Sequence, residues 1–151
     1  MLQVRNWLFK AFGGPAVITA FKFCFISVFL YALIYAFRKR IGPARISLIA
    51  LLFAGAYLFA VWQPYFSEKT HLLTYGLVGY LSANDLVKLR ERQRTKILAG
   101  GIIFVSLVSA LDELFQAMLP YRIGELRDFI TNIISGGTGM ALLFILRKPG
   151  I

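Results

Sequence analysis

The stretch AVITAFKFCFISVFLYALIYAF, residues 16–37, decides the fold class of this chain, and RKR follows it directly at residues 38–40. Lys22 is its only charged residue. A bilayer core of about 30 Å needs about 20 apolar helical residues, so this stretch is long enough to cross one. Its length and the basic residues at its end argue against a cleaved signal peptide.

Four further apolar runs follow, at residues 46–62, 71–87, 97–119 and 129–146. The chain is 58% hydrophobic and only 16% charged, whereas soluble domains carry about 25% charged residues. A soluble helical bundle would need exposed polar faces, and these runs show almost none. We therefore expect an all-α integral membrane bundle of about five transmembrane helices. One Cys and one His cannot supply a structural zinc site, and we predict neither a metal nor a cofactor.

The net charge of +10 comes from 17 Lys and Arg against 7 Asp and Glu. The basic residues concentrate between runs one and two, between runs three and four, and after run five. Basic segments mark the cytoplasmic side of a membrane protein, so the N-terminus is expected outside and the C-terminus inside. We expect no nucleic-acid partner, because the basic excess has this topological use. Residues 88–96 (KLRERQRTK) either contact anionic lipid as well or serve orientation alone.

Polar residues form a stripe along three of the runs, at spacings of three and four that share one helical face. The stripes are His71, Tyr75, Gly79 and Ser82; Ser106, Ser109, Glu113 and Gln116; and Asp128, Asn132, Ser135 and Gly139. Ionisable groups within a span cost at least about 2.5–3.5 kcal/mol and mark functional positions. With the predicted orientation, most of these polar groups lie in the outer leaflet.

Two interpretations of the stripes stay open. The glycines and the two serines of run four are typical of close packing between membrane helices. The charged and amide groups favour a pocket in which Arg122 pairs with Glu113 or Asp128. Asp112 is interpreted as a partner in a structural hydrogen bond, and Lys22 as a side chain that snorkels outward.

At these positions the sequence resembles the VanZ-like family of small membrane proteins. The resemblance rests on Glu113-x-x-Gln116, Pro120-x-Arg122, Asp128-x-x-x-Asn132 and Gly139, preceded by Glu68-Lys69, His71-x-x-x-Tyr75 and Gly79. It covers residues 46 to about 146, the last four runs. The resemblance implies an integral membrane protein of the bacterial cell envelope, in a family whose founding member is associated with teicoplanin-type glycopeptide resistance. It supplies neither an enzyme class nor a catalytic residue.

Three segments follow from these observations. Residues 1–15 are predicted to be an interfacial N-terminal segment, in which Met1–Phe12 form an amphipathic helix before the break Gly13-Gly14-Pro15. Residues 16–45 hold an additional transmembrane helix and a basic loop. Residues 46–151 form the four-helix VanZ-like membrane domain.

Two functions are predicted for the polar cluster. The first is binding or remodelling of an amphiphile, such as a membrane lipid, a cell-wall precursor or a lipid-tailed glycopeptide, at the outer leaflet. The alternative is a membrane-embedded hydrolase or transferase acting on a lipid headgroup, with His71 as general base. A transporter or channel would need an oligomer, which is possible. The predicted ligand-binding residues are Glu68, Lys69, His71, Tyr75, Glu113, Gln116, Arg122, Asp128 and Asn132.

Overall fold

The computed structural model describes Lys10 and residues 13–64, 66–89, 93–118 and 126–147. These residues form five helices and no β-strand, which confirms the predicted all-α class. The helices are α1 (Gly14–Arg38), α2 (Pro43–Trp62), α3 (Phe66–Lys88), α4 (Arg94–Ala117) and α5 (Leu126–Leu146). The chain divides into two compact units, Met1–Thr70 and His71–Ile151. The predicted interfacial helix lies outside the described residues apart from Lys10, and the predicted domain boundary at residue 46 stays a prediction.

Each helix begins two to five residues before the apolar run that predicted it. The apolar run marks only the part of a helix that suits hydrocarbon, and polar residues readily occupy the first turn. The first turns of α1 and α2 also contain a proline, which suits a position where no intrahelical N–H bond is lost. The largest difference is in α3, where Glu68 and Lys69, which precede the apolar run at residues 71–87, lie inside the helix.

Four helices, α1, α2, α4 and α5, are long and apolar enough to cross a membrane. Their surfaces expose large apolar side chains: Phe23 and Tyr31 are each 71% exposed, and Leu107 is 60% exposed. Contiguous apolar surface of this kind is rare on soluble monomers. The four helices are therefore consistent with the predicted membrane protein.

In the first unit, a tight turn joins α1 to α2. The N–H of Ile41 donates to the carbonyl of Ala36 at 3.0 Å, and Arg40 has a positive φ of 51°. This is a Schellman termination, in which a left-handed residue ends the helix. Pro43 then begins α2, so α1 and α2 run in opposite directions.

Aromatic rings hold the first unit together. The Phe53 ring of α2 lies 5.6 Å from the Phe25 ring and 5.0 Å from the Phe29 ring of α1. The start of α3 joins the same cluster, because the rings of Phe66 and Phe21 meet edge to face at 5.8 Å. Such tilted arrangements suit the ring quadrupoles.

In the second unit, α3 and α5 run parallel and touch through glycines. A Cβ added at Gly79 would overlap the carbonyl of Gly136, and one added at Gly139 would overlap the carbonyl of Gly76. Membrane helices use small residues to bring their backbones this close. Farther along both helices, Arg147 Nη2 donates to Asn84 Oδ1 at 3.3 Å.

The third helix of this unit, α4, runs antiparallel to the other two. A Cβ at Gly136 would lie 2.8 Å from Val105, and one at Gly101 would lie 2.8 Å from Met140 Sδ, so large and small residues interlock between α4 and α5. Val105 and Met140 are fully buried. The resulting core also contains Tyr75, Ala83, Ile97 and Leu143.

Two glycine-to-alanine substitutions, compared with each other, test the close approach of α3 and α5. Gly139→Ala is expected to destabilise the folded state by about 1–3 kcal/mol, because the added methyl forces two backbones apart. Gly137→Ala is the matched control, since a Cβ there meets nothing within 4 Å. A detergent–denaturant titration of both variants, monitored by circular dichroism, measures the difference in their free energies of unfolding. Equal stabilities would contradict the glycine contact.

Candidate functional site

The alternating directions of α3, α4 and α5 bring one end of each helix together within the second unit. His71 lies near the start of α3, Ser109 and Asp112 toward the end of α4, and Asn132 near the start of α5. His71 is 1% exposed, and both Ser109 and Asn132 are fully buried. The three polar stripes of the sequence thus contribute side chains to one buried cluster, here called the polar end of the second unit.

Two hydrogen bonds fix the centre of the polar end. His71 Nδ1 lies 2.5 Å from Asn132 Oδ1, and Asn132 Nδ2 donates to Ser109 Oγ at 2.8 Å. An amide oxygen can only accept, so the His71 Nδ1 atom carries a proton and donates it. The Ser109 bond fits the same orientation of the Asn132 amide, with the amide nitrogen as the donor and the hydroxyl oxygen as the acceptor.

The hydrogen bonds continue across the unit to a carboxylate. The Ser109 hydroxyl interacts with the Tyr75 hydroxyl, and Tyr75 Oη donates to Asp112 Oδ2 at 3.1 Å. Since Ser109 Oγ accepts from Asn132, its own proton is available for Tyr75. Each member from His71 to Asp112 therefore donates to the next, and chains of this kind strengthen one another.

The rings of His71 and Tyr75 reinforce this arrangement. They are one turn apart on α3 and stack with centroids 5.6 Å apart and an interplanar angle of 16°. The stacking and the Asn132 bond together restrict the imidazole to one orientation. His71 is therefore held by its Nδ1 edge, and its Nε2 edge is directed away from the network.

Three buried polar atoms at this end have no hydrogen-bond partner among the described residues. They are His71 Nε2, Gln116 Nε2 and Asp128 Oδ1. Gln116 is 4% exposed and Asp128 is 8% exposed. A buried polar group without a partner costs about 1–3 kcal/mol, and more when charged. A residue whose buried polar atom lacks a hydrogen-bond partner in the fold is therefore a candidate for contact with a ligand.

The structure brings six of the nine predicted ligand-binding residues to the second unit: His71, Tyr75, Glu113, Gln116, Asp128 and Asn132. All of these are buried except Glu113, which is half-buried. Glu68 and Lys69 belong to the first unit; Glu68 is buried and Lys69 half-buried. Arg122, the predicted partner of Glu113 or Asp128, lies outside the described residues.

The predicted ligand-binding set lacked Ser109 and Asp112, which complete the network. Ser109 was interpreted as a packing residue, yet its hydroxyl joins Asn132 to Tyr75. Asp112 was interpreted as a partner in a structural hydrogen bond, and it accepts one from Tyr75. The available signal was their spacing of three on α4, which places them on adjoining turns. Among the described residues, no three His, Cys, Asp or Glu side chains are grouped as metal ligands.

Removing the Ser109 hydroxyl tests the network. Ser109→Ala leaves the buried Asn132 amide without an acceptor, so we expect a loss of about 1–2 kcal/mol in unfolding free energy. Ser106→Ala, one turn away and only half-buried, is the control and should change stability by less than about 0.5 kcal/mol. The same detergent–denaturant titration measures both. A Ser109→Ala variant as stable as Ser106→Ala would contradict the network.

Comparisons with known proteins assign no family to this geometry. No protein-family model, no curated protein and no solved structure matches the chain. The functional assignment therefore depends on the residues and contacts of the chain itself.

Proposed function

We propose that this chain is a VanZ-like integral membrane protein of the bacterial cell envelope that binds or remodels an amphiphilic ligand. In this proposal the bilayer contains five spans, and the polar end of the second unit faces the outer leaflet. Support for the family comes from the spaced polar residues quoted above. Support for the ligand comes from the buried polar atoms that lack a partner in the part of the chain that the structure describes.

The proposal adds α3 to the four apolar helices as a fifth span. The helix has 23 residues, and at 1.5 Å per residue this is about 34 Å, enough for a core of about 30 Å. Its charges lie close to its ends, with Glu68 and Lys69 at one end and Asp85 and Lys88 at the other. The polar ends suit the headgroup regions, and the segment between them suits hydrocarbon.

The proposed orientation follows from the basic residues. The turn between α1 and α2 contains Lys39 and Arg40, and the α3–α4 connection contains Arg90 and Arg92, with Lys88, Arg94 and Lys96 at the adjoining helix ends. The positive-inside rule assigns both connections to the cytoplasm. The N-terminus is then outside and the C-terminus inside the cytoplasmic membrane.

Reporter fusions test the five spans and the orientation. Green fluorescent protein should fluoresce when it is fused after Gly42, after Gln93 or at the C-terminus. Alkaline phosphatase should be active when it is fused after Pro64. If α3 does not span, the signals at Gln93 and at the C-terminus both reverse, because every later connection changes side. That pattern would contradict the fifth span.

One observation carries the ligand proposal: polar atoms of His71, Gln116 and Asp128 are buried at one end of a membrane-type helical unit, with no partner among the described residues. In hydrocarbon such atoms have no water to satisfy them. An amphiphile enters this region from the bilayer, its headgroup satisfying polar atoms while its tail remains among lipid chains. A lipid, a cell-wall precursor or a lipid-tailed glycopeptide has this form.

Ligand binding is measured as a thermal shift of the purified protein in detergent. Bacterial polar lipid extract or teicoplanin should raise the unfolding midpoint saturably, because a ligand that binds only the folded state stabilises it. Asp128→Asn should lose most of this shift. Asp85→Asn is the control, since Asp85 is exposed and pairs with Lys88 at 3.4 Å.

No shift with either probe, or an equal shift in Asp128→Asn and the wild type, would contradict the proposed binding function. The variants must first show the helical circular dichroism of the wild type. That requirement separates loss of ligand from loss of fold.

A second candidate is a membrane-embedded hydrolase or transferase. One observation favours it: Asn132 holds His71 through Nδ1, which leaves Nε2 as the atom that accepts a proton, as a general base requires. Hydrolysis of lipid-phosphate or lipid-linked substrates with magnesium, abolished in His71→Ala, would raise this candidate above simple binding.

A further inference from the structure

The hydrogen-bond chain determines the chemistry of His71 Nε2. His71 Nδ1 donates its proton in a hydrogen bond to Asn132 Oδ1, and the Asn132 amide nitrogen donates to Ser109 Oγ. In a neutral imidazole one nitrogen donates and the other accepts. The Nε2 atom of neutral His71 is therefore an acceptor, and it is buried with no donor among the described residues.

Two further buried polar atoms without a partner among the described residues lie near the ends of α5 and α4. Asp128 lies one turn before Asn132 on α5, and its buried Oδ1 atom is a second acceptor. Gln116 lies two turns beyond Ser109 on α4, and its buried Nε2 atom is a donor. The polar end thus offers two acceptors, one of them on a carboxylate, and one amide donor.

Building on the proposed function, we propose that the polar end binds a lipid headgroup with a primary amine beside an oxygen acceptor. An ammonium group has three N–H donors, enough for both His71 Nε2 and Asp128 Oδ1, and its charge complements the carboxylate. The neighbouring phosphate or ester oxygen accepts from Gln116. A hydroxyl headgroup supplies no cation, and a quaternary ammonium supplies no N–H donor.

In this proposal Asn132, Ser109, Tyr75 and Asp112 are positioning residues. They contact His71 or one another and set which imidazole nitrogen accepts. Their effect on the ligand passes through the imidazole tautomer, which a spectroscopic measurement reports directly. A role limited to packing would leave the tautomer unchanged when the network is broken.

The single His of the chain makes this measurement unambiguous. The full-length protein, labelled with ¹⁵N-histidine, is placed in nanodiscs of phosphatidylcholine at about pH 8, where an ordinary imidazole is neutral. The spectrum should show a protonated Nδ1 and a bare Nε2. Addition of phosphatidylethanolamine should move the Nε2 resonance saturably, whereas phosphatidylglycerol should not move it.

Three lipids separate the properties of the headgroup. Phosphatidylethanolamine carries a primary amine, phosphatidylcholine carries the charge without N–H donors, and phosphatidylglycerol carries hydroxyls. Asp128→Asn should weaken the phosphatidylethanolamine effect about tenfold or more, since a charge-assisted bond is lost. Asp85→Asn is expected to match the wild type, and Asn132→Ala should populate both tautomers.

A protonated Nε2 in phosphatidylcholine nanodiscs would overturn the proposal, as would a wild-type spectrum unchanged by phosphatidylethanolamine. Both results need only the wild-type protein, so they hold even where a variant fails to fold. Either of these spectra would show that the amine headgroup is wrong. If lipid extract or teicoplanin nevertheless gives an Asp128-dependent thermal shift, the binding function stands. If no probe gives a shift, both proposals fail.

Discussion

The second unit depends on the contact between the backbones of α3 and α5 at Gly76, Gly79, Gly136 and Gly139. Any side chain at Gly79 or Gly139 would occupy the space of the opposite carbonyl. In lipid the hydrophobic effect does not drive helices together, so close packing and interhelical hydrogen bonds must do so. The glycines provide the close packing, and the polar end provides the hydrogen bonds.

The same contact makes the polar network possible. His71 and Asn132 are on α3 and α5, and their side chains meet only because the two backbones are close. The antiparallel α4 then supplies Ser109 and Asp112 at the same end. A short amide and a short hydroxyl can connect three helices only when the helices are tightly packed. The position of His71 Nε2 is therefore a consequence of glycines that lie one to two turns from Asn132 along α5.

Much of the fold was predictable because each helix is specified locally. Long apolar runs and prolines in first turns indicate a helix without reference to its neighbours. The helix starts were less predictable, as α3 illustrates: Glu68 and Lys69 interrupt the apolar pattern but not the backbone hydrogen bonding. The stripe spacing also predicted that His71, Asn132 and Gln116 lie on inward faces, and all three are buried. Spacing could not predict which side chain contacts which, since it gives a face and not a partner.

The sequence by itself determined the all-α class and the faces on which the polar residues lie, because both follow from helical periodicity and apolar length. Tertiary structure alone decided that Ser109 and Asp112 join the network and that His71 donates through Nδ1. Those facts require the relative depth and direction of three helices, which are set by steric fit at the glycines. The three buried atoms that lack a partner within the described ranges are likewise a tertiary result, since each is defined by what surrounds it.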